Sequence, residues 1–285
     1  MTGGVRRTGR TVASALVLAL AVLAALVGVN PTFSVFAATV VNSGNSAGTA
    51  TYFTCAAAAT TDRTALFAYP LNEASGASTA GDISGNGANG AYQGKMTSQG
   101  IPPIACPRDA GGAYVLDGSS SYVATPNVYN NPRTFTLEVW FKTTTAGGML
   151  MGFGDKRTGL SGQHDRKLYM TPSGQLIFGI YSPGTSDPTI TSPKSYADGA
   201  WHLATATLSP STGIRLYVDG GLVASNPAAT NPEPYSGYWR IGYDKLTAWP
   251  DASSNFFFTG SMRAAAVYGV VLSADQVRSH YVAGT

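Results

Sequence analysis

Carboxylates are few and scattered along this 285-residue chain. Only 12% of the residues are charged, and glutamate occurs three times, as Glu73, Glu138 and Glu233. Retaining glycoside hydrolysis uses two carboxylates about 5 Å apart, and no local segment supplies such a pair. Glu138 stands alone among apolar neighbours in Phe135–Lys142, which predicts a surface or groove-edge carboxylate. Histidine is equally sparse: His164, His202 and His280 lie in unrelated contexts, and the Gly-x-Ser-x-Gly turn of serine hydrolases is missing. His202 follows Trp201 at a strand start and is expected to be packed or hydrogen-bonded. These absences argue against an enzyme.

Excess charge is missing too. Residues 1–37 contain Arg6, Arg7 and Arg10 and no acid; without them the 18 basic residues fall to 15 and equal the 15 acidic ones. A neutral remainder offers no field for phosphate or an anionic membrane, so nucleic acid is excluded as a partner. The three arginines precede an apolar run, Val12–Val29, and then the small-residue site Val35-Phe36-Ala37-Ala38. That order predicts a secretory signal peptide over residues 1–37, cut after Ala37. About 18 uncharged residues could equally span a bilayer, so a retained membrane anchor is the alternative and would be the sole membrane contact. Thr8-Gly9-Arg10 does not continue a twin-arginine signal. The chain is thus read as secreted or at the cell surface, and membrane-anchored if the leader is kept.

Cysteine occurs twice, as Cys55 and Cys106. In an exported chain a small even number reads as a disulfide. Closing a loop of that length stabilises a fold by about 4 kcal/mol in the chain-entropy account. A metal-binding or reactive thiol pair is the alternative, but it lacks nearby histidine or cysteine partners. Disorder is excluded by the 44% hydrophobic content.

Residues 38–62 are rich in Ala, Thr, Ser, Gly and Asn and carry no charge before Asp62, as a spacer or irregular N-terminal arm would. From residue 63 to 285, short runs of alternating apolar and aromatic residues recur between turn signals. Strands are predicted at 64–71, 112–118, 121–125, 135–142, 149–154, 166–171, 175–181, 201–208, 214–220, 221–225, 238–243 and 256–269. Asp117-Gly118 and Asp219-Gly220 are hairpin signals, and Pro172-Ser173-Gly174 is a turn. One helix is predicted, capped by Ser273 with Gln276 three residues on, as in a capping box. A dozen strands and one C-terminal helix imply an all-β, two-sheet antiparallel sandwich.

The motif order resembles the laminin-G-like (concanavalin A-like) jelly-roll domains of bacterial surface proteins. Tyr69-Pro-Leu-Asn-Glu73, Asp82-Ile-Ser-Gly-Asn-Gly87, Tyr114-Val-Leu-Asp-Gly118, Phe135-Thr-Leu-Glu-Val-Trp140, Trp201-His202, Leu216-Tyr-Val-Asp-Gly220 and Phe258-Thr-Gly-Ser-Met262 carry the likeness over residues 64–283. The chain departs from the pattern at Arg263-Ala264, where the family has an acidic pair, which puts any metal role of those acids in doubt. Phe33–Cys55 resembles the N-terminal segments cut by the SipW-type signal peptidase of Gram-positive bacteria, which implies release or incorporation into a surface matrix. Hydrolases of this fold cluster acids on one strand as Glu-x-Asp-x-x-Glu, a pattern missing here.

The resemblance implies a non-catalytic, lectin-like module that recognises a glycan or a surface protein through its loops. A structural envelope or matrix protein and a glycosidase with an atypical site are the alternatives. Trp249 is the first choice for stacking on a ligand, with Tyr243, Tyr181 and Asp251 beside it; packing of Trp249 as a loop anchor is the competing reading. Trp140, Trp201 and Trp239 fall in strand patterns and are expected in the core. Hard cations take oxygen ligands from Gly-rich loops, so Asp82, Asn86 and Asp117 are candidate calcium ligands. The competing reading is that these side chains satisfy their own loop amides, as Asx turns do.

Overall fold

Side chains that alternate with period two can serve two environments at once, and the strands of this chain use both. The computed structural model describes residues 41–42, 45–46, 50–182 and 187–285; the leader at 1–37 lies outside them. Two units are distinguished, Met1–Thr49 and Ala50–Thr285. In the first, β1 (Val41–Asn42) pairs with β2 (Asn45–Ser46).

The second unit opens with helix α1 (Cys55–Thr60), then β3 (Ala65–Tyr69), β4 (Thr79–Ala80), β5 (Gly90–Gln93), β6 (Thr97–Gln99), β7 (Ala113–Asp117), β8 (Tyr122–Ala124) and β9 (Tyr129–Asn130). The long central strands follow: β10 (Phe135–Lys142), β11 (Met149–Gly154), β12 (His164–Met170), β13 (Gln175–Gly179), β14 (Thr189–Ser195), β15 (Trp201–Ser209) and β16 (Gly213–Val218). The chain ends with β17 (Gly221–Asn226), β18 (Ser236–Ile241), β19 (Thr259–Tyr268) and helix α2 (Ala274–Gly284).

These strands form two antiparallel sheets, the jelly-roll sandwich expected from the sequence. One runs β17-β16-β15-β10-β19-β7-β6, with β3 also on β19; the other runs β14-β13-β12-β11-β18-β8-β5-β4, with β9 also on β18. Phe135, Leu137, Val139 and Phe141 of β10 enter the core between the sheets and meet Leu168, Met170, Phe178 and Trp239 from the other side. Trp239 is the hub of the ring contacts there, with Phe135 and Phe153 both 4.9 Å away.

Two predicted turns come out differently. Asp219-Gly220 closes the β16–β17 hairpin, with φ of 53° and 78° as a type I′ turn requires. Asp117-Gly118 makes no hairpin. β7 pairs with β19 and β6, whereas β8 pairs with β18 and β5 in the opposite sheet. The chain crosses between sheets there, and the Asp117 carboxylate accepts the amides of Ser119, Ser120 and Ser121 to shape the crossing.

The outer face of the β10 sheet is roofed by α1 and α2. Thr54 and Ser273 cap their N-termini, and Ser273 with Gln276 completes the predicted capping box. Helix α1 lies in the stretch read as a spacer, and the second unit already begins at Ala50. The disulfide Cys55–Cys106 fastens α1 to the loop before β7, and Asp109 in that loop accepts the amides of Cys55 and Ala56. At the end of α2, a Cβ on Gly284 would lie 2.3 Å from the Trp140 ring, so the helix seats only because glycine stands there.

Reduction of the disulfide, or Cys55→Ser, should remove about 4 kcal/mol of stability. For a domain of this size that is roughly 10 °C in melting temperature. Melting curves with and without reductant measure it, and superimposable curves would contradict a stabilising bridge.

Candidate functional site

Glu138, the acid with a catalytic reading to weigh, is a structural residue and not the surface or groove-edge carboxylate its isolation suggested. It points to the outer face of β10 and is buried under α2. Tyr268 donates to its Oε1 at 3.2 Å and Thr205 to its Oε2 at 3.2 Å. His280 of α2 lies 2.9 Å from Oε1, through Nδ1. A lone carboxylate amid apolar neighbours is tolerable inside only when partnered, and here helix and sheet supply the partners. His202 is hydrogen-bonded as expected, between Asp219 and Asp198 at 2.8 and 3.1 Å.

Concave chemistry occurs on the other sheet. A pocket of about 260 Å³ is lined by Gly162, Gln163 and His164 at the start of β12, Tyr181 and Asp187 on the β13–β14 connection, Glu233 before β18, and Thr247, Ala248 and Trp249. Beneath it sits Asp165, fully buried. Its carboxylate accepts the amides of Tyr181 at 2.6 Å and Glu233 at 3.1 Å, and the Arg166 guanidinium at 2.9 Å. One side chain therefore fixes two walls of the pocket. Burial pushes the Asp165 carboxyl up to about 6, against the pull of Arg166 and the amides. Lys167 and Asp244 form a second buried pair at 2.7 Å.

His164 is held neutral. Burial, then Lys167, drive its pKa down to about 4. The Trp249 indole N–H donates to its Nδ1 at 3.1 Å, which leaves the ring proton on Nε2. Gln163 donates to Glu233 Oε1 at 3.3 Å. The Asp187 carboxyl is raised by burial alone.

The predicted binding residues divide. Trp249 and Tyr181 share this pocket. Tyr181 is 38% exposed, whereas Trp249 is 6% exposed and packs with Met149, Tyr169, Ile177 and Leu246. Tyr243 lies elsewhere, stacked on Phe257 at 3.6 Å and over Arg240. Asp251 borders a separate depression with Thr171, Pro172 and Gln175. Residue-level reading missed His164, Gln163, Asp187 and Glu233. Their segments are distant in sequence; the polar loops 154–167 and 181–196 carry Gln163, His164 and Asp187, and nothing in the pattern marked Glu233.

The candidate calcium ligands are engaged with protein. Asp82 accepts the amides of Ala68, Ser84 and Ala88 and the Ser84 hydroxyl, which hold its carboxyl below the usual range despite partial burial. Asn86 donates to the carbonyls of Ala65 and Leu66. Asp117 takes its three serine amides and the Ser120 hydroxyl. Among the described residues the group of His, Cys and acidic side chains close enough to hold an ion is Cys55, Cys106 and Asp109. Its two sulfurs are bonded to each other.

A family model for the Concanavalin A-like lectin/glucanases superfamily matches residues 117–278. A comparison with curated proteins finds no match. Among solved structures, the receptor binding domain of botulinum neurotoxin C/D mosaic serotype aligns with a TM-score of 0.53 at 14% identity, covering 77% of this chain and 51% of that one. The binding domain of Paraclostridial Mosquitocidal Protein 1 gives 0.56 at 13%, covering 76% and 52%. The binding domain of Botulinum Neurotoxin DC in complex with SialylT gives 0.53 at 13%, covering 77% and 51%. This chain thus spans about half the length of those structures, and at such identity the likeness is one of fold.

The Glu138–His280 pair makes a pH prediction. Burial opposes charge on His280, but the Glu138 carboxylate outweighs it and raises the pKa above 6.5. A histidine whose pKa is raised by folding contributes stability fully below its unfolded pKa and loses it as pH rises through the folded value. The melting temperature contributed by this pair should therefore fall as pH rises from about 6.5. Glu138→Gln should flatten that fall; His202, raised by Asp219 and Asp198, persists in both proteins and cancels in the comparison. Equal slopes would show that the pair is not coupled to folding.

Proposed function

The chain belongs to the Concanavalin A-like lectin/glucanases superfamily, and from that premise we propose that it is an exported, non-catalytic module that binds a glycan in the pocket beside His164 and Trp249. The observation that carries this reading is the composition of the pocket wall. An exposed tyrosine ring, a neutral histidine, a glutamine amide, a threonine hydroxyl and carboxylates converge on one cavity, which is how small polar ligands are oriented. The fold neighbours are binding domains of toxins, and one was solved in complex with SialylT. Export rests on the sequence of residues 1–37 and on the disulfide.

Asp187 and Glu233 share this wall, and that observation favours a glycosidase as the second reading. A pair of carboxylates flanking the scissile bond is what such chemistry needs. Against it, Glu233 Oε1 is engaged by Gln163. On the binding reading calcium is not required, since Asp82 and Asp117 spend their oxygens on their own loops.

A glycan array should register binding, and Tyr181→Ala should weaken the best ligand roughly tenfold, as loss of an aromatic contact does, with melting temperature unchanged. Uniform silence on the array would remove the reading. Hydrolysis of any member of a polysaccharide panel, abolished in Glu233→Gln, would replace it with the glycosidase.

A further inference from the structure

We infer that the pocket beside His164 selects an amino sugar with a free, protonated amine; this deepens the glycan-binding reading and rests on it. The cavity wall carries two carboxylates, Asp187 and Glu233, and among the described residues no lysine or arginine. Residues 183–186, between Ser182 and Asp187, are uncharged in sequence. Two of the nearby cations are committed, Arg166 to Asp165 at 2.9 Å and Lys167 to Asp244 at 2.7 Å, and Lys245, which also acts on His164, does not line the cavity. His164 adds no positive charge near neutral pH, because its pKa is about 4.

Asp187 is the sharper of the two acids. Among the described residues it makes no hydrogen bond or ion pair, and its carboxyl feels burial alone. Glu233 gives one oxygen to Gln163 and leaves the other for a ligand. A half-buried carboxylate without a partner is a cost that a ligand cation would relieve. An anionic sugar would meet two like charges and gain no counter-ion. The rest of the wall is built for hydroxyls and a ring face: the Gln163 amide, the protonated Nε2 of His164, the Thr247 hydroxyl and the exposed Tyr181 ring. That combination suits a sugar carrying an ammonium group better than a bare amine. At about 260 Å³ the cavity is at the small end of ligand pockets, so it suits a sugar ring or two.

The test is titration calorimetry of the full chain at pH 6, where an amine with a pKa of about 8 is charged. The probes are a β-1,4-linked glucosamine tetramer, its fully N-acetylated counterpart, sialyllactose and tetralysine. The glucosamine tetramer should bind roughly tenfold to a hundredfold tighter than the N-acetylated one, the range of a charge-assisted hydrogen bond. Sialyllactose should be the weakest sugar. Asp187→Asn should erase most of that preference, and Glu233→Gln part of it, in protein whose melting curve shows it folded. Equal or tighter binding of the N-acetylated or sialylated probe would overturn the charge inference while leaving a glycan site standing. Tighter binding of tetralysine than of the glucosamine tetramer would overturn the assignment to a sugar. A preference that survives both substitutions would place the amine elsewhere than this pocket. Failure of every sugar to bind would take the glycan-binding reading down with it.

Discussion

Burial of β10 on both faces constrains the rest of the fold. Its odd-numbered residues, Phe135 to Phe141, fill the space between the sheets, and Thr136, Glu138 and Trp140 face outward. A strand in mid-sheet with an indole and a carboxylate on its outer face needs a cover, and α2 supplies it. Tyr281 stacks on Trp140 at 5.7 Å, while His280 reaches Glu138. The cover in turn needs an anchor. Helix α1, the disulfide and the Arg108 guanidinium, which donates to the carbonyls of Val282 and Ala283, hold the end of α2 in place. Thus the acid that looks most like a lone catalytic group is consumed in fastening a helix to a sheet.

The opposite sheet meets the same demand with charge instead of a helix. Asp165, Arg166, Lys167, Arg240 and Asp244 are all fully buried. Removing charges from water is costly unless they are paired and hydrogen-bonded, and most of these groups are. Arg240 donates to the carbonyls of Lys156 and Gly159, under the rings of Tyr122 and Tyr243. Leu246 and Trp249 close over Met149, Tyr169 and Ile177 as the loop returns from β18. The pocket is the space this cover leaves uncovered at the start of β12. Its character follows from the network beneath: Arg166 and Lys167 are spent inside, while Asp187 on the wall has no partner among the described residues.

Much of the fold was legible because period-two alternation and turn chemistry are local signals. Phe135–Lys142, the Asp219-Gly220 hairpin and the Ser273 cap all stand where residue patterns placed them. Strand β14 was not visible, because Pro193 and a polar run disguise it; a proline is tolerated at a sheet edge, and β14 is an edge strand. The Asp117-Gly118 crossing failed as a hairpin because an Asp-Gly pair reports a turn and cannot report which sheet receives the next strand. Helix α1 was hidden in an Ala-rich segment without a charged face. The pocket was half legible: Trp249 and Tyr181 were chosen for their loops, but convergence of Gln163, Asp187 and Glu233 depends on pairings over nearly seventy residues that no motif encodes.

The departure at Arg263-Ala264 shows how this chain diverges from its family's pattern without losing the fold. Ala264 takes a positive φ of 47° where β19 shifts register against β10, so the strand bulges there. Arg263, buried, turns its guanidinium to the carbonyls of Ala105, Asp109 and Ala110. A carboxylate at the same position would face three carbonyl oxygens with no donor and would have to be partnered or expelled. Arginine matches those acceptors with its fixed fork of donors, and it orders the loop that carries Cys106. Arg263 therefore serves as an organiser of the disulfide loop. The carboxylates proposed to meet a ligand, Asp187 and Glu233, stand on the other sheet, away from this loop.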